Sequence, residues 1–144
     1  MSQPQHPSNA TPYTVRVLFA DTDAMGVIYH GRYWPWFEAG RGEYLRIRGY
    51  SYREMETAGV ALAVIETHCR FRAPARYDDV LLLYTWLAEF TRTRIRFQYV
   101  LYLEAQQRLL AEAETLHTFI DPHGRPLRIT HYPDVWNKLQ QLIP

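Results

Sequence analysis

Tyr33, Phe37, Gly40, Tyr44 and Ile47 recur at spacings of four and three, one continuous stripe along a helix. Glu38, Arg41, Glu43, Arg46 and Arg48 fall mostly on its other sides. An amphipathic helix of this length needs a broad apolar surface to cover its stripe, and the rest of the chain supplies strands. Before it, Val15, Val17 and Phe19 alternate with Thr14, Arg16 and Leu18, a half-buried first strand that runs from Val15 to Ala20 and ends at Asp21. After Gly59 come four alternating stretches without a sustained helical period: 61 to 71, the nearly all-apolar 80 to 88, one that includes 94 to 99, and about 109 to 120. The order strand, long helix, short helix, four strands predicts an α+β fold, with a curved antiparallel five-stranded sheet wrapped around a long central helix.

Local signals fix the boundaries. Pro35 has no N–H, so it is tolerated only in the first turn, and the helix must start close to His30. Gly40 and Gly42 each cost roughly 1 kcal/mol against alanine inside a helix, which predicts close approach of the sheet. Gly49 ends the helix, Ser51 and Glu54 form a capping box for a second short helix, and Gly59 terminates it. APARYDD at 73 to 79 breaks the strand pattern, DPHGRP at 121 to 126 reads as a turn, and a last helix is expected from Pro133 to Ile143. Residues 1–12 are polar and proline-rich and read as a disordered N-terminal arm, which leaves 13–144 as a single domain.

A formal charge of +1 gives no strong overall field and argues against nucleic acid or an anionic membrane as the main partner. One cysteine, Cys69, precludes an internal disulfide, and no stretch reads as a signal peptide or spanning helix, so a cytoplasmic location is expected. Cys69 sits in an alternating strand with no evident base near it in sequence and reads as a structural thiol.

The chemistry is concentrated in DTDAMGVIYHGR at 21 to 32, where a strand delivers Asp21 and Asp23 to a turn at Gly26 and the chain re-enters order at His30. A helix start leaves backbone N–H groups without partners and carries partial positive charge, so it can hold a developing oxyanion. A carboxylate beside it supplies a base or a nucleophile. Aspartates before a helix are also ordinary caps and turn formers, and Asp21 is assigned that structural role. His68, His117, His123 and His131 lack a metal-ligand spacing, so no metal is expected.

DTDAMGVIYHGRYWPWFE resembles the motif of acyl-CoA thioesterases of the 4-hydroxybenzoyl-CoA thioesterase and YbgC type, which have the hotdog fold, and PARYDD at 74 to 79 resembles their strand boundary. The likeness spans Tyr13 to about Ile120. It implies hydrolysis of an acyl-CoA to free acid and coenzyme A, with no cofactor beyond the coenzyme A of the substrate. By resemblance Asp23 is the catalytic carboxylate, His30 is the motif's histidine with the polarising N–H at or near it, and Gly26, Tyr29 and Gly31 match substrate-binding positions. Tyr33 matches in packing. The sequence departs at Arg32, where asparagine is commoner and a solvated side chain is expected here, and at Pro35. Arg92 and Arg94, with Arg96, alternate on a strand and are candidates for the coenzyme A phosphates, although exposed strand arginines are commonplace.

Two other readings keep the same fold, a hotdog hydratase or dehydratase and a non-catalytic acyl-binding or scaffold protein. A five-stranded sheet has two edges that this sequence does not clearly blunt, and VLLLYTWLA at 80 to 88 is more apolar than one helix needs. A homodimer is therefore expected, pairing edge to edge and burying that run. The resemblance implies a homodimer too, with shared active sites, and a second pairing of such dimers gives a homotetramer.

Overall fold

The computed structural model describes residues 5–142. Its elements in chain order are β1 (Thr11–Arg16), α1 (Tyr33–Ile47), α2 (Tyr52–Thr57), β2 (Ala61–Phe71), β3 (Val80–Phe90), β4 (Arg94–Leu103), β5 (Arg108–Ile120) and α3 (Pro133–Gln140). All neighbouring strands are antiparallel, in the order β1-β3-β4-β5-β2. The expected α+β architecture is present, with α1 laid across the face of the sheet formed by Leu81, Leu83, Phe97, Tyr99 and Leu101, all fully buried.

The helical stripe does the packing. Phe37 stacks on Tyr99 with ring centroids 4.7 Å apart, and Tyr44 meets Phe97 edge-on at 5.9 Å. At Gly40 the sheet comes so close that a β-carbon would lie 2.5 Å from Thr85 Oγ1 and 2.8 Å from Leu83 Cδ2, inside van der Waals contact. Gly42 lies away from the sheet, and a β-carbon there would meet nothing nearer than the Arg46 guanidinium at 4.0 Å. Close approach thus explains one glycine and not the other. Ile47, assigned to the stripe, is instead 58% exposed, because the helix ends there and Gly49 turns the chain away at φ +81°. Ser51 caps α2 by accepting the Glu54 N–H at 3.2 Å.

Several boundaries differ from expectation. The first strand begins at Thr11, which pairs with Thr85, and stops at Arg16. Asp21 accepts the Leu18 N–H at 2.8 Å and draws residues 19–21 into a 3-10 turn that leaves Phe19 78% exposed. The expected arm over 1–12 is correspondingly shorter. The Gln5 N–H donates to the Tyr102 hydroxyl at 2.9 Å and His6 stacks on Tyr84 at 3.9 Å, while residues 1–4 lie outside the described residues. The last helix forms over Pro133–Gln140, and Ile143 also lies outside the described residues. A bulge between Val64 and Glu66 interrupts the simple alternation expected of β2.

The two edges of the sheet are unlike. β1 is six residues long and contains Pro12, so it is blunted. β2 is eleven residues long and leaves Val64 and Ile65 nearly half exposed. The apolar run at 80 to 88 is β3, held between β1 and β4 with Leu81, Leu83, Thr85 and Leu87 buried under α1 and Leu82, Tyr84 and Trp86 half-buried on the other face. Its hydrophobicity reflects a strand covered on two sides, so edge pairing at β2 does not bury it.

Candidate active site

The segment between β1 and α1 is a compact loop whose geometry follows from its two aspartates. Asp21 is 2% exposed. Its carboxylate accepts the Leu18 N–H and the Arg32 Nε–H, each at 2.8 Å, and its carbonyl accepts the Tyr29 N–H at 2.9 Å. It ties the loop's entry to its exit, the structural role expected. The partner Arg32 corrects the expectation of a solvated side chain: a carboxylate this buried requires a cation, and the arginine occupying the usual asparagine position provides it.

Asp23 is placed differently. Its carbonyl accepts the Gly26 N–H and its N–H donates to Val27, both at 2.9 Å, closing a turn in which Gly26 takes φ +77°. The Met25 N–H donates to one carboxylate oxygen at 2.9 Å, and the other oxygen has no protein partner among the described residues. Asp23 lines a cavity of about 340 Å³ with Val27, His30, Tyr33, Phe71 and Arg72.

The chain enters α1 through a 3-10 turn at His30–Arg32. The Tyr29 N–H is taken by Asp21 and the Arg32 N–H by the Tyr29 carbonyl at 2.9 Å, whereas those of His30 and Gly31 have no partner among the described residues. The second segment of the resemblance braces the first: the Ile28 N–H donates to Ala75 at 3.0 Å, and Arg76 reaches the Gly26 carbonyl at 3.4 Å.

Of the anticipated site residues, the structure brings Asp23 and His30 together on one cavity. Gly26, Tyr29 and Gly31 shape its frame without lining it. Gly26 supplies the turn, and a β-carbon on Gly31 would lie 2.6 Å from the Tyr29 ring, which itself leans against His30 at 4.5 Å. Tyr33 packs edge-on against Phe71 at 4.9 Å, and burial pushes its phenol up to about 12. Burial also pushes the Cys69 thiol up to about 11, so it stays protonated, in line with a structural thiol.

Arg92 and Arg94 do not join this site within one chain. Arg92 lies in the turn after β3 and Arg94 opens β4, whereas β3 starts at Val80, beside the loop that follows β1. Eleven strand residues separate the two ends, about 35 Å at the usual rise. Conversely, Phe71 and Arg72 line the cavity and were not singled out. Arg72 holds Glu112 in a fork at 3.0 and 2.9 Å. Their position just before the strand-breaking APARYDD was the one available signal.

Comparison with known proteins places the chain in a family. The model of the thioesterase-like superfamily matches residues 17–140. The acyl-CoA thioester hydrolase YbgC of Escherichia coli O157:H7 is 36% identical over 110 residues, 76% of this chain and 81% of that protein. The putative acyl-CoA thioesterase YneP of Bacillus subtilis is 28% identical over 122 residues, 83% of this chain and 88% of that protein. Among solved structures, the DHNA-CoA thioesterase from Staphylococcus aureus superposes with a TM-score of 0.85 at 28% identity, covering 92% of this chain and 90% of that one. The chain belongs to the thioesterase-like superfamily, has its hotdog fold and is an enzyme of thioester hydrolysis.

Proposed function

We propose that the protein hydrolyses acyl-CoA thioesters to a free carboxylic acid and coenzyme A in the cavity that holds Asp23. The observation that carries this reading is that Asp23 and His30 line one cavity, with a carboxylate oxygen of Asp23 and the N–H groups of His30 and the adjoining Gly31 all without partners among the described residues. A thioester carbonyl directed at the His30 and Gly31 N–H groups is polarised, and the negative charge that grows on its oxygen meets donors already in place. Asp23 then attacks the carbonyl carbon or takes a proton from the water that does. Either way the C–S bond breaks, the thiol is released and one water is consumed. His30, exposed at the rim, orients substrate or water. The names of YbgC and YneP, with the fold, support acyl-CoA as the substrate class.

Replacing Asp23 by Asn keeps the shape and the Met25 contact but removes the charge. Thiol release from a panel of acyl-CoA esters should fall on the order of a thousandfold with an unchanged melting temperature. Activity retained across the panel would take Asp23 out of the reaction.

A homodimer with shared sites is part of the same reading. The unblunted edge is β2, and a two-fold axis beside it pairs two copies of β2 antiparallel into a continuous sheet. Light scattering at micromolar concentration should report a dimer or a multiple of it, and a proline replacing the exposed Ile65 should break it and the activity together. An active monomer refutes this arrangement.

A further inference from the structure

A second cavity, of about 490 Å³, runs along the side of α1 from Pro35 past Glu38, Arg41 and Gly42 to the start of β2 at Leu62, and His117 lies in its wall. Behind it is a polar chain in the otherwise apolar interior. Arg41 donates to the Tyr99 hydroxyl at 3.3 Å, Tyr99 and Thr115 are 2.7 Å apart through their hydroxyls, and Thr115 Oγ1 is 2.8 Å from His117 Nε2. Tyr99, Thr115 and His117 are each at most 2% exposed. His117 Nδ1 is buried and has no partner among the described residues.

The chain of bonds has a direction. A guanidinium can only donate, so Tyr99 accepts from Arg41, and its own buried O–H, with Thr115 as the one other partner among the described residues, donates there. Thr115, having accepted, donates to His117 Nε2, which places the remaining ring proton on Nδ1. Burial and the nearby Arg41 charge hold the imidazole neutral at ordinary pH, its pKa pushed down to about 4. One residue of the wall thus carries a neutral N–H donor that is buried and unmatched, and beside it lie donors of Arg41 that have no partner among the described residues. A buried donor left unmatched is costly, and few remain so in proteins without a reason.

The strand pairing proposed above brings this cavity to the thioester. Phe71, at the end of β2, lines the Asp23 cavity, while Leu62 at its start and His117, paired with Val64, line the second one. Antiparallel pairing of two β2 strands sets the end of one against the start of the other, so the Asp23 site of each copy faces the second cavity of its partner.

We propose that this cavity receives the acyl group and that His117 and Arg41 select acyl chains carrying an acceptor oxygen at their far end over chains ending in methyl. This rests on the thioesterase reading and on the β2 pairing. A site built to hydrogen-bond a substrate oxygen rejects the analogue that lacks it, because the donors are then left dry and unpaired. Gly42 serves the same end by leaving the cavity wall open where any side chain would intrude.

The test compares kcat/KM for matched methyl-ended and ω-hydroxy acyl-CoA thioesters of increasing length. At the length that reaches His117, the wild type should prefer the oxygenated ester by about tenfold or more. In His117→Leu this preference should fall towards unity while the methyl-ended ester is still hydrolysed. Arg41→Met, at a half-buried position, reports the same ratio should the histidine variant fail to fold. Because the readout is a ratio between two substrates, a smaller folded fraction does not move it. Equal rates for both esters in the wild type at every length, or a preference untouched by either variant, overturns the selection proposed here and leaves the thioesterase reading standing. Absence of thiol release from every ester overturns both.

Discussion

The loop at 21–32 and the interior beneath the middle of α1 both hold polar side chains that the folded chain only partly satisfies. Among the described residues, the loop leaves over a carboxylate oxygen of Asp23, and the interior leaves Thr85 Oγ1 and His117 Nδ1. The loop keeps its surplus at an opening, where a full charge can be hydrated until substrate arrives. The interior gives no such access, so the surplus there must be neutral, and its cost is carried by the fold. Asp21 shows the third possibility, a buried charge that persists because Arg32 answers it. Identical residue types two positions apart thus differ in role through their surroundings alone.

The largest expected effect that sharpens this contrast is on acid stability. The folded pKa of His117, about 4, lies below its ordinary 6.5, so the fold favours the neutral ring. That contribution is fully present above pH 6.5, is lost progressively as pH falls towards 4, and stays lost below it, for a total of up to about 3 kcal/mol. Denaturant titrations across this range should show the loss in the wild type and a flatter profile in His117→Gln. Parallel profiles would mean that the interior tolerates the charge. Next in size, Arg32→Ala strands the Asp21 carboxylate and should cost about 2 kcal/mol, discounted from a fully buried pair because the arginine is 43% exposed. Asp21→Asn removes the charge rather than its partner and should cost less, about 1 kcal/mol. If the two costs came in reverse order, Asp21 would not depend on Arg32 for its burial.

Most of the fold was legible because it is written in local periods. The stripe from Tyr33 to Tyr44 and the alternation from Ala61 to Ile120 need only one element at a time. The turn at Gly26 and the open carboxylate of Asp23 were legible too, since the motif lies within one short stretch. What escaped depends on strand order. Nothing in residues 92 to 94 tells that the turn after β3 lies at the far end from Asp23, and nothing in the apolar run at 80 to 88 tells that β1 and β2, not β3, are the edges of the sheet. Arg41, Tyr99, Thr115 and His117 come from three elements and meet only when β4 and β5 pair beneath α1. Arg32 was misread for the same reason, because its partner lies eleven residues back and only the folded loop brings them together.

The contact at Gly40 has a consequence for how such an enzyme can change. With Thr85 and Leu83 pressed against its backbone, α1 has no room to roll or slide on the sheet without a clash. The helix is a fixed rail, and the N–H groups at its front end are registered to the sheet behind it. Exchanges along its outer side, at Glu38, Ala39 or Gly42, can therefore remodel what the enzyme accepts while the reacting end keeps its place. New substrates are open to this chain through side-chain replacement alone, and Gly40 is the position through which that freedom would be lost.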